Sequence, residues 1–228
     1  MNTFDDFIIK NPYQPDENES KAIKELQEKE LTANDWGSRK KGIASFKENI
    51  REHLLDEQNN YCAYCRMELN EGCEYVQRDH IVPKTLHPKW LFETKNLCIT
   101  CSQCNNNKKN EEVLVNPDIT YYPSDSDDFK IINPYIDKYS EHINIVEDII
   151  YKGITNKGKF TIKICNLDRI DLVLNRARKR MQLKNPESVK TQILSLLENK
   201  EDSVERTEIL NNRLDKLIEK YKQQNPIE

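Results

Sequence analysis

The side chains of this chain whose types and spacing suit chemistry are concentrated in residues 61–110. Two C-x-x-C pairs, Cys62/Cys65 and Cys101/Cys104, bracket a segment that holds Asp79-His80 and Asn96. Paired thiol hooks point first to zinc. Each C-x-x-C turn presents two sulfurs from one knuckle, so two knuckles close a tetrahedral structural site and leave no position for water. Such a site staples the chain and does no chemistry, which places any reaction between and just after the hooks. Asp79 is a hard oxygen ligand suited to Mg2+ or Mn2+, and His80 beside it is the one residue type whose ordinary pKa lies near neutrality. Asn105, directly after Cys104, offers a second oxygen to the same ion, and Lys108 follows one helical turn later, where a cation reaches a phosphate. By residue type alone these groups form a one-metal hydrolytic site.

The run Asp79-His80-Ile81-Val82-Pro83-Lys84, then Asn96-Leu97, then Cys101-x-x-Cys104-Asn105-x-x-Lys108 resembles the HNH nuclease motif of the ββα-metal class, in the subgroup braced by a four-cysteine zinc site. The resemblance implies that His80 is the general base and Asp79 a ligand of the catalytic ion. It makes Asn96 the residue that holds the loop and aims the base, and Asn105 the second ligand, where the family often has histidine. An Asp/Asn pair is a variant of the family and lowers affinity for soft ions. The implied fold is α+β, a ββα-metal motif braced by zinc and embedded in helices, with a small hairpin and a helical C-terminal region.

Two cysteines compete with the chosen zinc ligands. Cys73 follows Cys65 outside a two-residue bridge and reads as a small core residue. Cys98 overlaps the second hook as Cys98-x-x-Cys101-x-x-Cys104. Residues 97–99 look like strand positions, and the family pattern puts Asn105 directly after the last ligand, so Cys101 and Cys104 are preferred.

Downstream, an N-P-Y-x-D-x-Y-x-E-H segment at 133–142, a hairpin ending in T-I and an L-x-R-x-x-L-x-x-x-R helix are similar to HNH proteins of anti-phage defence operons. The similarity is to the nuclease subunit of Septu-type systems, which works there with an ATPase resembling ABC or SMC heads, and in some cases with a retron. It implies nucleic acid as substrate, DNA before RNA.

Composition agrees with a cytoplasmic enzyme and excludes several classes. The 228 residues are 36% hydrophobic and 32% charged, with no run long enough to span a membrane and no basic, apolar start of a signal peptide. Seven cysteines, four of them in hooks, leave an odd remainder that fits a reducing compartment better than a disulfide framework. A net charge of −4 means that a grip on phosphate must come from local basic groups. Lys108/Lys109 beside the motif and the 176–184 run, with Arg176 and Arg180 on one helix face, are the candidates.

Three regions follow: an arm and short helix at 1–41, a nuclease core with zinc knuckles at 42–115, and a mixed C-terminal region at 116–228 suited to partner binding. Residues 20–29 read as a charged helix and 36–41 as a basic loop. At 42–58, Ile43, Phe46, Ile50 and Leu54 line one helix face behind the knuckles. His87, with no carboxylate nearby in sequence, reads as a surface residue. Residues 111–128 read as a solvated linker. The stretches 143–151 and 159–165 read as strands, the second because Phe160, Ile162 and Ile164 alternate with Thr161, Lys163 and Cys165. Asp168 is expected to cap the next helix, with Ile170, Val173, Ala177 and Met181 on its buried side, and two helices with apolar stripes end the chain. A different class of function stays open beside the enzyme. A zinc module that only binds nucleic acid, or a structural subunit, needs the cysteines but not Asp79, His80 or Asn105.

Overall fold

The structure, a computed structural model, describes residues 7–69, 76–198 and 204–224; Cys73 lies outside them. In chain order the helices and strands are α1 (Glu17–Gln27), α2 (Lys41–Glu57), β1 (Val76–His80), β2 (Leu97–Cys101), α3 (Ser102–Lys108), α4 (Tyr139–His142), β3 (Ile143–Val146), β4 (Ile150–Gly153), α5 (Asn156–Ile164), α6 (Ile170–Met181), α7 (Pro186–Glu198) and α8 (Val204–Gln224). The fold is α+β, with two small antiparallel sheets, β1–β2 and β3–β4. The chain divides into a larger unit, Phe4–Asn144 with Gly153–Leu167, and a smaller one formed mainly by Ile145–Lys152 and Asp168–Glu228. No helix among the described residues is long and apolar enough to cross a membrane.

In the larger unit α2 carries the expected stripe, with Ile43, Phe46, Ile50 and Leu54 all buried. Helix α1 packs on it rather than lying free, burying Ala22, Ile23 and Leu26. The approach is close at Gly42, where a Cβ would meet the Ala22 Cβ at 2.6 Å and the Asn18 carbonyl oxygen at 2.7 Å. Glu19, buried between the helices, accepts from Tyr13 Oη at 2.7 Å, Ser45 Oγ at 3.0 Å and Asn49 Nδ2 at 2.7 Å. A buried carboxylate is tolerated when its lone pairs are satisfied in this way. At the far end of α2, Gln58 ties the helix to the sheet. Its side chain accepts from Ile99 N at 2.7 Å and donates to Ile99 O at 2.8 Å, as a neighbouring strand would.

Two stretches differ from expectation here. Residues 156–164 form α5, not a strand. Thr155 caps it by accepting from Gly158 N, and the buried positions Gly158, Thr161 and Ile164 recur every third residue. The alternation has the period of a strand, and packing overrode it, burying Thr161 rather than Phe160 or Ile162. The hairpin lies wholly within 143–153 as β3 and β4. Residues 111–128 are not solvated throughout, since Val113 and Leu114 are fully buried and Leu114 bridges to Phe129.

The smaller unit packs α6, α7, α8 and the hairpin tip around Ile149, Val173, Ala177, Met181, Val189, Ile193, Leu210, Leu214 and Ile218. The apolar stripes of its last two helices are therefore used within the unit. Asp168 does not cap α6, whose N-cap is Arg169 with no side-chain bond; its carboxylate instead accepts from Arg206 Nη1 at 3.3 Å. Arg176, 7% exposed, donates to Tyr151 Oη at 2.6 Å and to Asp148 O at 3.1 Å. Arg180 pairs with Glu147 at 3.2 Å and Asp148 at 3.5 Å. The two arginines named as phosphate candidates both bond to the hairpin of their own unit.

Candidate metal centre and acid–base site

The first knuckle is a tight turn in which Cys62 N donates to Met67 O at 2.9 Å and Arg66 N to Cys62 O at 3.1 Å. Arg66 sits at φ 52, in the left-handed region where glycine is the usual occupant. Packing holds it there: its guanidinium lies 3.6 Å over the Phe7 ring and 4.5 Å from that of Tyr139, contacts that favour a buried cation. The second knuckle turns from β2 into α3, and Cys101 is the N-cap of that helix.

Together the knuckles bring the sulfurs of Cys62, Cys65, Cys101 and Cys104 within 4.8 Å of one another. A tetrahedral zinc with Zn–S near 2.3 Å places its sulfurs about 3.8 Å apart, and Cys65 Sγ to Cys101 Sγ is 3.9 Å. Backbone N–H groups support thiolate charge, Cys101 N at 3.3 Å from Cys62 Sγ and Cys104 N at 3.4 Å from Cys101 Sγ. Hydrogen bonds from Cys104, then Cys62 and Cys65, hold the Cys101 thiol far below its ordinary pKa. The cluster therefore fits a metal ion. Cys98 is excluded because strand side chains alternate, so three residues before Cys101 it points to the opposite face. Its sulfur lies 3.8 Å from Tyr64 Oη, and burial pushes its thiol up.

The same alternation separates Asp79 from His80. Adjacent in sequence, they leave β1 on opposite faces. On one face α3 crosses the strand: Asn105 Nδ2 donates to Gln77 Oε1 at 2.6 Å, and Lys108 Nζ lies 3.2 Å from Asp79 Oδ1 and 3.1 Å from Oδ2. Tyr64, inside the first knuckle, donates to Asp79 Oδ2 at 2.7 Å. Lys108 also donates to the His80 carbonyl at 2.7 Å and is 0% exposed. It is thus no surface phosphate clamp, because an ammonium out of water requires a carboxylate. Lys109 is exposed at the C-cap of α3 and keeps that role open. Lys84, half-buried, has its pKa lowered chiefly by burial, with Asp79 opposing and Lys108 adding to the shift.

On the other face His80 is 4% exposed. Trp36 from the 3-10 turn Ala33–Gly37 stands edge-on to it at 4.6 Å, with Phe92 and Phe46 behind. Burial pushes the His80 pKa down to about 3, so the imidazole is neutral at pH 7. Its Nε2 lies 3.0 Å from the Leu91 carbonyl oxygen, which can only accept, so Nε2 carries the proton and the basic lone pair is on Nδ1. Asn96, fully buried, closes the loop between the strands. It accepts from Val82 N at 2.7 Å and donates to Val82 O at 3.1 Å and Trp90 O at 3.2 Å.

For a divalent ion at Asp79 and Asn105 the arrangement does not fit. Both Asp79 oxygens are engaged by Lys108 and one of them also by Tyr64, whereas Asn105 holds Gln77 through Nδ2 and its Oδ1 takes no part in that bond. Sequence reasoning also missed Tyr64, Gln77, Trp36 and the partner of His87. Its Nε2 is 2.8 Å from Glu112 Oε2, and its ring is stacked on Trp90 at 5.1 Å. None of these has a sequence signal, since each partner is distant along the chain.

Against known proteins, the chain is 31% identical over 122 residues to the Septu protein PtuB of Bacillus thuringiensis, a match covering 54% of this chain and 42% of that protein. The two are distant homologues, and the chain spans less than half of the relative. No family model matches the chain, and no solved structure matches it.

Proposed function

We propose that this chain is an HNH-type endonuclease that hydrolyses phosphodiester bonds in nucleic acid, DNA before RNA, as the effector of an anti-phage defence complex. Its proposed companion is an ABC- or SMC-like ATPase, in some systems with a retron. One observation carries the reading: Asp79 and His80 end β1, Asn96 closes the turn that leads into β2, Asn105 lies on α3, and the same β2–α3 corner supplies two of the four clustered cysteines. The distant similarity to a Septu protein supports the defence role.

In this mechanism His80 Nδ1 takes a proton from the attacking water, hydroxide adds to phosphorus, and the bond to the 3′ oxygen breaks as that oxygen gains a proton from solvent. The Leu91 carbonyl holds the tautomer and favours the imidazolium that forms, while Asn96 keeps the loop that carries this carbonyl in place. Water reaches His80 once the Trp36 turn moves aside.

The test is cleavage of supercoiled plasmid, single-stranded and duplex DNA, and RNA by zinc-loaded protein with Mg2+ or Mn2+, with and without the neighbouring operon product. His80→Ala should keep zinc and fold and lose about a hundred- to ten-thousand-fold in rate. A rate within about threefold of the unchanged protein removes the assignment. The closed state of both Asp79 and His80 favours a second reading, a non-catalytic zinc-containing subunit that binds nucleic acid. That reading requires binding that depends on the cysteines and is indifferent to Asp79 and His80.

A further inference from the structure

A buried lysine is the feature of this site that the nuclease reading leaves unused. Lysine is among the residues almost never fully buried unless paired, and Lys108 is 0% exposed. Its three N–H donors meet both carboxylate oxygens of Asp79, at 3.2 Å and 3.1 Å, and the His80 carbonyl at 2.7 Å. Tyr64 Oη takes a further approach to Asp79 Oδ2 at 2.7 Å. The carboxylate therefore has one cation in contact before any ion arrives. A divalent ion brought to Asp79 would stand beside the Lys108 ammonium, out of water, where like charges are least screened.

We propose that Lys108 is a built-in competitor for the divalent ion at Asp79, so that the ion binds only as the ammonium gives up the carboxylate. The inference rests on Asp79 being the ion's ligand in the nuclease reading. It accounts for the misfit between that ligand assignment and the geometry: the place of the ion is filled by a side chain of the protein. Position in the fold suits the role. Lys108 is the last residue of α3, followed by Lys109 at φ 49, whereas the cysteines lie at the first turn. The ammonium can leave Asp79 by a change at the helix C-terminus that does not disturb the cysteine cluster. In the resting chain, affinity for divalent ions is low, and an event that draws Lys108 away raises it.

The experiment is Mn2+ binding to the zinc-loaded full chain, followed by the electron paramagnetic resonance of free Mn2+ and by thermal unfolding with and without Mn2+. Lys108→Gln removes the charge and keeps amide donors for Asp79 and the His80 carbonyl, so it is the variant best able to fold; Lys108→Met removes both. Expected is Mn2+ binding tighter by about tenfold or more in Lys108→Gln, with a midpoint that Mn2+ raises more than it raises that of the unchanged protein. Asp79→Asn combined with Lys108→Gln should abolish the gain. Equal affinity in Lys108→Gln and the unchanged protein overturns the proposal, as does a gain that survives Asp79→Asn. These readouts are independent of cleavage. A chain that gains Mn2+ affinity but cuts nothing upholds the competitor and ends the nuclease reading, whereas a nuclease with unmoved affinity does the reverse.

Discussion

Cys101 and His80 sit at opposite ends of one ladder, paired with Val76 and Leu97 and about 13 Å apart at the usual strand rise, and the two ends are finished in different ways. At the cysteine end four like groups converge on one point, each presented by a short turn. At the other end each group has found a partner of its own: Lys108 and Tyr64 for Asp79, Gln77 for Asn105, Leu91 and Trp36 for His80. The difference lies in what each site is built from. A knuckle sets two ligands by local geometry, whereas a strand end sends neighbours to opposite faces, and whatever packs on each face decides their environment.

The largest effect that sharpens this contrast is expected at the cysteine end. Cys62→Ser removes one of four thiols that join two distant segments, so a metal held by the cluster should be lost together with the fold. Elemental analysis and circular dichroism check it; a folded variant retaining a full equivalent of zinc would contradict the structural role. At the other end Asn96→Ala strands buried groups of Val82 and Trp90 and should cost about 3 kcal/mol while leaving zinc bound. Urea unfolding reads that cost, and loss of zinc in parallel would mean that the two ends are not separable.

A smaller effect is set by pH. His80 has its pKa lowered to about 3 in the folded chain by burial, against about 6.5 when unfolded. The unfolded state therefore binds more protons below pH 6.5, and the contribution of neutral His80 is full above that pH and lost as pH falls toward 3. Between pH 7 and 5 this amounts to about 2 kcal/mol. The measurement is the difference in that slope between the unchanged protein and His80→Leu, in which zinc release by acid cancels. Equal slopes would mean that the imidazole is open to water. The smallest effect is at Trp36. Trp36→Phe should cost about 1 kcal/mol of edge contact, and Trp36→Ala should speed modification of His80 by diethyl pyrocarbonate, mapped by mass spectrometry with His53 as the internal reference. An unchanged rate would show that Trp36 does not cover the base.

Much of the fold was legible wherever a pattern was long or a spacing strict. The stripe Ile43, Phe46, Ile50, Leu54 is the buried face of α2, and Cys62, Cys65, Cys101 and Cys104 form the cluster with Cys98 outside it. Short apolar stretches were less readable. The alternation at 160–165 has the period of a strand, and α5 follows from the Thr155 cap and a buried Thr161 that no alternation reveals. The partners of charged residues were unreadable for a related reason. Lys108, Arg176 and Arg180 look like phosphate ligands in a line of letters, but each has acidic or carbonyl partners 28 to 33 residues away.

Local chemistry along the chain was enough to specify the four-cysteine cluster, because two C-x-x-C turns present sulfurs whatever surrounds them. It was also enough to put Asp79 beside His80, while the strand that carries both was implied only by the ββα resemblance. Which way each side chain faces, and what meets it there, was decided only in three dimensions. The pleat sends Asp79 toward α3 and His80 toward Trp36, and burial then demands a partner for every charge it encloses. Lys108 meets that demand at Asp79, and burial keeps His80 neutral.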